Sequence, residues 1–161
     1  MESVYIETSV VSYLVARPPA GTLAQQWHVW TQDWWRLRQP RFECVVSAEV
    51  LREAAAGTPE LSRQRLAALS TLAVLRRTPT VDELTEAFLS TGALPAKAKA
   101  DALHLAVATS HRVDYLLTWN MKHLANAEIL RRLRPAADQR GYLLPVVCTP
   151  LQLMGEIEYE D

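Results

Sequence analysis

Residues 4–11 read VYIETSVV, an apolar run that is interrupted by an acidic residue and then continues as a helix-like segment. Residues 4–6 predict a short buried strand. Thr8 is a suitable N-cap for a helix that continues to about Ala16, before two prolines stop it. Glu7 stands between the strand and the helix, where a carboxylate is an unusual choice, and is therefore a candidate functional residue.

Strand-like and helix-like segments alternate along the rest of the chain. Further short strands are predicted over residues 42–46, 74–75, 115–118 and 146–148. This alternation predicts an α/β fold in which a mostly parallel sheet carries helices on both faces. We find no repeat or linker, so we expect one domain over residues 1–155 and an acidic C-terminal tail over residues 156–161.

Two of the predicted helices have features that the structure can test. The helix over residues 22–38 carries one apolar stripe, which consists of Leu23, Trp27, Trp30, Trp34 and Leu37. Core packing is the first explanation for this stripe and a partner-binding surface is the second. A later helix is predicted to begin at Leu124 and to end before Pro135, because proline disrupts a helix interior.

Four polar residues are placed where they could form one site: Glu7, Glu53, Asp101 and Asn120. Glu7 and Asn120 each follow a strand-like run, and Glu53 and Asp101 lie on predicted helices. Carboxylate and amide oxygens are the ligands that hard cations such as Mg²⁺ prefer. A carboxylate-held Mg²⁺ in an α/β fold is a common means of hydrolysing phosphodiesters.

The composition limits the possible classes of protein. The 161 residues carry a net charge of −1, which gives no overall attraction to nucleic acid and counts against a nuclease. The sequence has no apolar run long enough for a membrane span and enters a strand directly, so we expect a cytoplasmic protein. Cys44 and Cys148 are expected to be buried free thiols, with a disulfide between them as the less favoured alternative.

Four sequence blocks together resemble the PIN domain, and in particular the VapC toxins of bacterial type II toxin–antitoxin pairs. The blocks are VYIETSVV at residues 4–11, Ser47-x-x-Val50-x-x-Glu53, DALHLA at residues 101–106 and LLTWN at residues 116–120. The resemblance covers essentially the whole chain. It implies a three-layer α/β/α fold with a five-stranded sheet in the order 3-2-1-4-5, and a cleft where the chain leaves strands 1 and 4 in opposite directions.

The resemblance also implies an activity and a set of partners. It implies an endoribonuclease that uses Mg²⁺, or Mn²⁺, to hydrolyse RNA and leaves a 5′-phosphate and a 3′-hydroxyl. A cognate antitoxin would restrain the enzyme, and a homodimer is the expected assembly. The alternative is a catalytically weakened or inactive PIN module that binds RNA or a protein partner.

Roles for individual residues follow from the same resemblance. Glu7 and Asp101 would hold the principal metal ion, with Glu53 completing the pocket directly, through water or at a second ion. PIN domains usually carry Asp at the position of Glu7, and many carry Asp at the position of Asn120. Repulsion within the metal-free pocket is expected to keep one carboxyl, such as that of Glu53, protonated above its ordinary pKa.

Three further residues are assigned with an alternative for each. Thr8 either supports a carboxylate of the site or simply caps the first helix. Thr118 either supports the site or packs within its strand. His104 lies three residues after Asp101 on the same helix, so it either lines the cleft or is a structural histidine.

Overall fold

The computed structural model describes residues 1–156 and contains one five-stranded sheet. The strands are β1 (Ser3–Ile6), β2 (Glu43–Ser47), β3 (Ala73–Leu75), β4 (Tyr115–Leu117) and β5 (Val146–Cys148). All four pairings are parallel and the strand order is β3-β2-β1-β4-β5. The predicted fold class and strand order are therefore confirmed. The predicted tail residues 157–161 lie outside the described residues.

Seven helices connect the strands. They are α1 (Thr8–Val15), α2 (Leu23–Leu37), α3 (Ala48–Ala54), α4 (Pro59–Leu69), α5 (Pro79–Ser90), α6 (Lys99–Ser110) and α7 (Ala127–Asp138). Short 3₁₀ turns occupy Gln39–Arg41, Ala96–Ala98 and Leu151–Leu153. Helix α1 packs against α2, α3 and α4, whereas α5 packs against α6 and α7, which gives the three layers of an α/β/α fold.

The register of the central strands decides where the polar residues lie. Strand β1 is fully buried from Val4 to Ile6 because it has a neighbouring strand on each side. Ile6 pairs with Leu117, so the residues that follow them, Glu7 and Thr118, emerge side by side at the carboxyl end of the sheet. The backbone N–H of Glu7 continues the pairing by donating to the Leu117 carbonyl at 3.1 Å.

The prediction that Thr8 caps the first helix is wrong. The N-cap of α1 is Glu7, whose carboxylate accepts a hydrogen bond from the backbone N–H of Ser9 at 3.1 Å. The Thr8 side chain is directed elsewhere, to Glu53. A carboxylate near a helix N-terminus also interacts favourably with the helix dipole, so Glu7 is a suitable cap.

The predicted bounds of the last long helix are also wrong. Helix α7 begins at Ala127, where the Asn126 side chain accepts a hydrogen bond from the backbone N–H of Ile129, and it continues through Pro135. Burial explains the continuation, because Leu133 and Ala137 on both sides of the proline are fully buried. Because residue 135 is proline and has no N–H, the Arg131 carbonyl lacks its helical donor. Arg131 is exposed, so water can supply that hydrogen bond.

The aromatic stripe of α2 is only partly a core feature. Trp34 is fully buried and donates from its indole N–H to the Leu153 carbonyl at 3.1 Å. Trp27 stacks on Trp119 with ring centroids 4.9 Å apart. The two ends of the stripe are exposed, Leu23 by 61% and Leu37 by 47%. Core packing therefore accounts for the middle of the stripe and not for its ends.

Both cysteines are buried free thiols, as predicted. Burial raises the pKa of the Cys44 thiol to about 12 and that of the Cys148 thiol to about 11, so both remain protonated at neutral pH. None of the helices within residues 1–156 combines the length and the apolar character that a bilayer crossing requires.

Replacement of Trp34 by alanine is expected to destabilise the protein by about 3–5 kcal/mol, because it leaves a cavity and an unpaired Leu153 carbonyl. Leu23→Ala is the matched control on the same helix and should change stability by no more than about 0.5 kcal/mol. Urea unfolding measures both values. Equal effects for the two variants would show that α2 does not pack on the core as described.

Candidate metal centre

Glu7 is 7% exposed and is held from the end of β4 and from the first turn of α1. Its Oε1 accepts from the hydroxyl of Thr118 at 2.6 Å and from the hydroxyl of Ser9 at 2.5 Å. Its Oε2 accepts from the Ser9 backbone N–H at 3.1 Å. Since a carboxylate oxygen has two lone pairs, Oε1 is fully used and Oε2 retains one acceptor position for another ligand.

Glu53 is anchored through a single oxygen. Its Oε1 accepts from the Thr8 hydroxyl at 2.5 Å and is 2.7 Å from Nε2 of His104. Within residues 1–156, its Oε2 accepts no hydrogen bond. Helices α1 and α6 thus fix one oxygen of Glu53 and leave the other available to a ligand.

Asp101 lies in the first turn of α6 and contacts the segment that follows β4. Its Oδ1 accepts from the Asn120 amide at 3.0 Å, and its Oδ2 is 3.0 Å from Nδ1 of His123. The Asn120 carbonyl oxygen accepts from the His123 backbone N–H at 3.0 Å, which orients the amide with its NH₂ group toward Asp101. Asn120 therefore acts here as a donor that positions a carboxylate.

The four residues singled out in the sequence belong to two hydrogen-bonded networks: Glu7, Asn120 and Asp101 lie in one, and Glu53 lies in the other with Thr8 and His104. Glu7, Glu53 and His104 each offer an atom within 4.8 Å of the others. Asp101 is not in that group but is connected to Glu7 through two intermediates, since the Asn120 backbone N–H donates to Thr118 at 2.9 Å and Thr118 donates to Glu7.

His104 is 1% exposed, and both of its ring nitrogens are engaged. Nδ1 is 2.7 Å from the Tyr5 hydroxyl and Nε2 is 2.7 Å from Glu53. The Tyr5 hydroxyl is in turn 2.7 Å from the hydroxyl of Ser47. The imidazole has no nitrogen left for a metal ion, so it holds Glu53 in place and does not line the cleft as a ligand.

Sequence reasoning did not assign two residues of these networks. Ser9, which donates twice to Glu7, lies within the first motif block but received no role. His123, which contacts Asp101, is not among the residues assigned from the sequence. The spacing could have indicated both residues. Ser9 lies two residues after Glu7 and His123 lies three residues after Asn120, where the chain turns back after a strand.

Comparison with known proteins gives structural matches only. No protein-family model and no curated protein matches the sequence. VapBC-1 from nontypeable Haemophilus influenzae is similar with a TM-score of 0.58 and 14% identity, over 92% of this chain and 98% of that chain. VapBC2 from Rickettsia felis, bound to a DNA fragment from its promoter, is similar with a TM-score of 0.56 and 15% identity, over 91% of this chain and 98% of that chain.

VapC20 from Mycobacterium tuberculosis, a sarcin–ricin loop cleaving toxin, gives a TM-score of 0.54 and 20% identity, over 74% of this chain and 91% of that chain. The similarity in each case extends over nearly the whole of the other protein. The chain has a VapC-like PIN-domain fold. The strand order 3-2-1-4-5 places the carboxyl ends of β1 and β4 side by side at the point where the chain leaves the sheet in opposite directions.

The donor set of these carboxylates fits a hard divalent cation. Glu7, Glu53 and Asp101 each keep at least one unused acceptor position on oxygen after their hydrogen bonds are counted. Mg²⁺ and Mn²⁺ select such oxygen ligands, whereas a site for a softer metal would offer free imidazole or thiolate groups. The two cysteines supply no such thiolate, because Cys44 in β2 and Cys148 in β5 are buried thiols that remain protonated at neutral pH.

The expectation that Glu53 stays protonated in the metal-free pocket is wrong. Burial alone would raise the pKa of Glu53, but the hydrogen bond and charge of His104, with help from Thr8 and Arg52, outweigh it and lower the pKa below its ordinary value. Burial likewise acts to lower the pKa of His104. The hydrogen bond to Glu53 and the surrounding glutamates reverse this, and the pKa of His104 lies above its ordinary value of 6.5.

This coupling predicts a pH dependence of the metal-free protein. A histidine whose pKa is raised by folding stabilises the folded state fully below its unfolded pKa, and this contribution is lost as the pH rises through the folded pKa. In EDTA, the difference in melting temperature between wild type and His104→Gln should therefore shrink as the pH rises above the ordinary histidine pKa of about 6.5.

The control for that measurement is His111→Gln, which removes an imidazole that contacts the Arg76 backbone carbonyl. It shows how much the loss of a histidine away from the carboxylates changes the melting temperature, and the change for His104→Gln is compared with it. A constant difference for His104→Gln as the pH rises would mean that His104 is already neutral, and the ion pair with Glu53 would be wrong.

Proposed function

We propose that this chain is a metal-dependent endoribonuclease of the VapC toxin type, which hydrolyses RNA phosphodiesters at the site formed by Glu7, Glu53, Asp101 and Asn120. The observation that carries the proposal is the arrangement of the three carboxylates. Each is anchored by protein hydrogen bonds and each keeps an oxygen position unused. Acids held in this way resist the mutual repulsion that would otherwise separate them.

Glu7, Glu53 and Asp101 would hold the Mg²⁺ or Mn²⁺ ion. Such an ion would supply a more acidic water and neutralise charge on the phosphate oxygens. The chain's own contribution is preorganisation, because Ser9 and Thr118 fix Glu7 while Thr8 and His104 fix Glu53. Little reorganisation is then needed when the substrate enters, which is the main source of electrostatic catalysis.

The glutamate at position 7 is compatible with this function. Its carboxylate reaches back to the Ser9 backbone N–H and caps α1, which shortens the effective reach of the longer side chain. Asn120 supports the site differently from an acid at the same position. It donates a hydrogen bond to Asp101, and it gives the pocket less negative charge than an acid would.

RNA as the substrate is supported by the fold and by the site together. VapC20, which shares the fold, cleaves the sarcin–ricin loop. We extend only the substrate class, RNA, to this chain. We do not extend the particular target, the sarcin–ricin loop. A cognate antitoxin as partner is supported by the VapBC complexes among the similar structures. We further propose that the protein forms a homodimer in solution.

The proposal predicts that labelled total RNA is cut into discrete fragments in Mg²⁺ or Mn²⁺ and is left intact in EDTA. Asp101→Asn should reduce the rate by at least about 100-fold, because it removes a charged ligand from the site. Asp138→Asn, which makes the same chemical change at an exposed position on α7, should cut RNA at the wild-type rate.

The same experiment separates the nuclease from the alternative, a weakened or inactive PIN module that binds RNA or a protein. Cutting that persists equally in Asp101→Asn, or in EDTA, would assign the activity to a contaminant and contradict the proposal. Absence of cutting in wild type, with RNA still bound, would favour the binding module.

A further inference from the structure

A groove that the assigned site does not use runs along α3 and α6, next to the carboxylates. Its deeper part is a pocket of about 160 Å³, and a second cavity of about 280 Å³ shares four of its lining residues. The apolar floor consists of Leu75, Leu103 and Val107. The rim carries three cations, Arg52, Arg77 and Lys99, and one carboxylate, Glu49, which lines both cavities. An apolar slot below a basic rim matches a ligand with a flat apolar part and an anionic part.

The groove and the carboxylate site are formed by adjacent faces of the same two helices. Arg52 and Glu53 are consecutive on α3, and Leu103 and His104 are consecutive on α6. Consecutive residues of a helix point about 100° apart, so each helix presents one face to the groove and the next face to the carboxylates. The hydrogen bond between His104 and Glu53 marks the boundary between the two.

A buried chain of polar groups also connects the two. Ser47 lines the pocket, and its hydroxyl is 2.7 Å from the hydroxyl of Tyr5. Tyr5 contacts His104, and His104 contacts Glu53. The wall of the pocket is therefore part of the structure that holds a carboxylate of the site.

The basic residues of the rim are available to an anionic ligand. Arg77 pairs with Asp82 at 2.7 Å, and the two side chains are 57% and 56% exposed, so this pair contributes little to stability and leaves the guanidinium accessible. Arg52 pairs with Glu49, whose side chain is only 11% exposed, but the Arg52 side chain itself is 75% exposed. Lys99 is exposed, and no carboxylate of residues 1–156 forms an ion pair with it.

We propose that this groove binds one nucleotide of a single-stranded RNA, with the base in the apolar pocket and the adjoining phosphates against Arg52, Arg77 and Lys99. The inference rests on the proposed ribonuclease function and adds the subsite that positions the substrate. An apolar cavity of about 150 Å³ can hold one aromatic ring. The volume of this pocket, about 160 Å³, is similar. Guanidinium planes also stack on unpaired bases.

The groove also accounts for how a chain with a net charge of −1 would hold RNA. Binding of phosphate depends on the local arrangement of cations and not on the overall charge. Three cations beside one slot give such a local arrangement at the point where the carboxylates would need the substrate.

Two variants test the groove without touching the carboxylates or their anchors. Ala48 is exposed and lines the pocket, so Ala48→Phe fills it, and Arg77→Glu reverses one charge of the rim. The controls are Ala67→Phe and Arg63→Glu, which make the same changes at exposed positions on α4 outside the groove. Binding of a short fluorescein-labelled single-stranded RNA of mixed sequence is followed by anisotropy in EDTA, where no metal-dependent cutting takes place.

We expect Ala48→Phe to weaken RNA binding about tenfold, as when the stacking of one base is removed. Arg77→Glu should also weaken it, and should reduce the slope of log affinity against log salt by about 0.7 for each phosphate that the variant no longer neutralises. Both controls should bind within about twofold of wild type. Thermal melting of each variant shows that it is folded before its binding is measured.

The outcomes separate this inference from the function on which it rests. If wild type binds and cuts RNA while both groove variants bind as tightly as wild type, the subsite is wrong and the nuclease stands. If the groove variants bind weakly and wild type does not cut, the groove is supported and the nuclease is not. If wild type neither binds nor cuts RNA, both proposals fall.

Discussion

The buried carboxylate of Glu7 at the end of β1 is the constraint on which the rest of the site depends. A charge taken out of water is costly unless hydrogen bonds replace its hydration. Thr118 and Ser9 supply those bonds. Ser9 is local to the first turn of α1, whereas Thr118 reaches Glu7 only because β1 and β4 are paired in the observed parallel register. The same carboxylate caps α1, so the sheet, the first helix and the site are all fixed by one side chain.

The second half of the site depends on a buried histidine. His104 joins α6 to α3 through Glu53 and to β1 through Tyr5. This bond keeps Glu53 ionised in a partly buried position, and it keeps α3 and α6 close enough to form the neighbouring groove. Removal of the His104 imidazole would therefore disturb the metal centre and the proposed nucleotide subsite together.

The sequence predicted more of the fold than of the side-chain hydrogen bonds. The α/β fold class follows from the order of apolar runs. The strand order and the choice of Glu7, Glu53, Asp101 and Asn120 follow from the family resemblance that four motif blocks carry, and these blocks are local patterns. The part played by His104 did not follow, because its partners are 99 and 51 residues away in the chain. The ionisation of Glu53 was mispredicted for the same reason, since it depends on that distant imidazole.

Binding of Mn²⁺ to the metal-free protein, followed by electron paramagnetic resonance, tests the central claim most directly. The account predicts that wild type removes free Mn²⁺ from solution and that Glu53→Gln and Asp101→Asn each weaken binding at least about tenfold. Asp138→Asn should bind as wild type does. Failure of wild type to bind Mn²⁺, or equal binding by all the variants, would contradict a metal centre at these carboxylates.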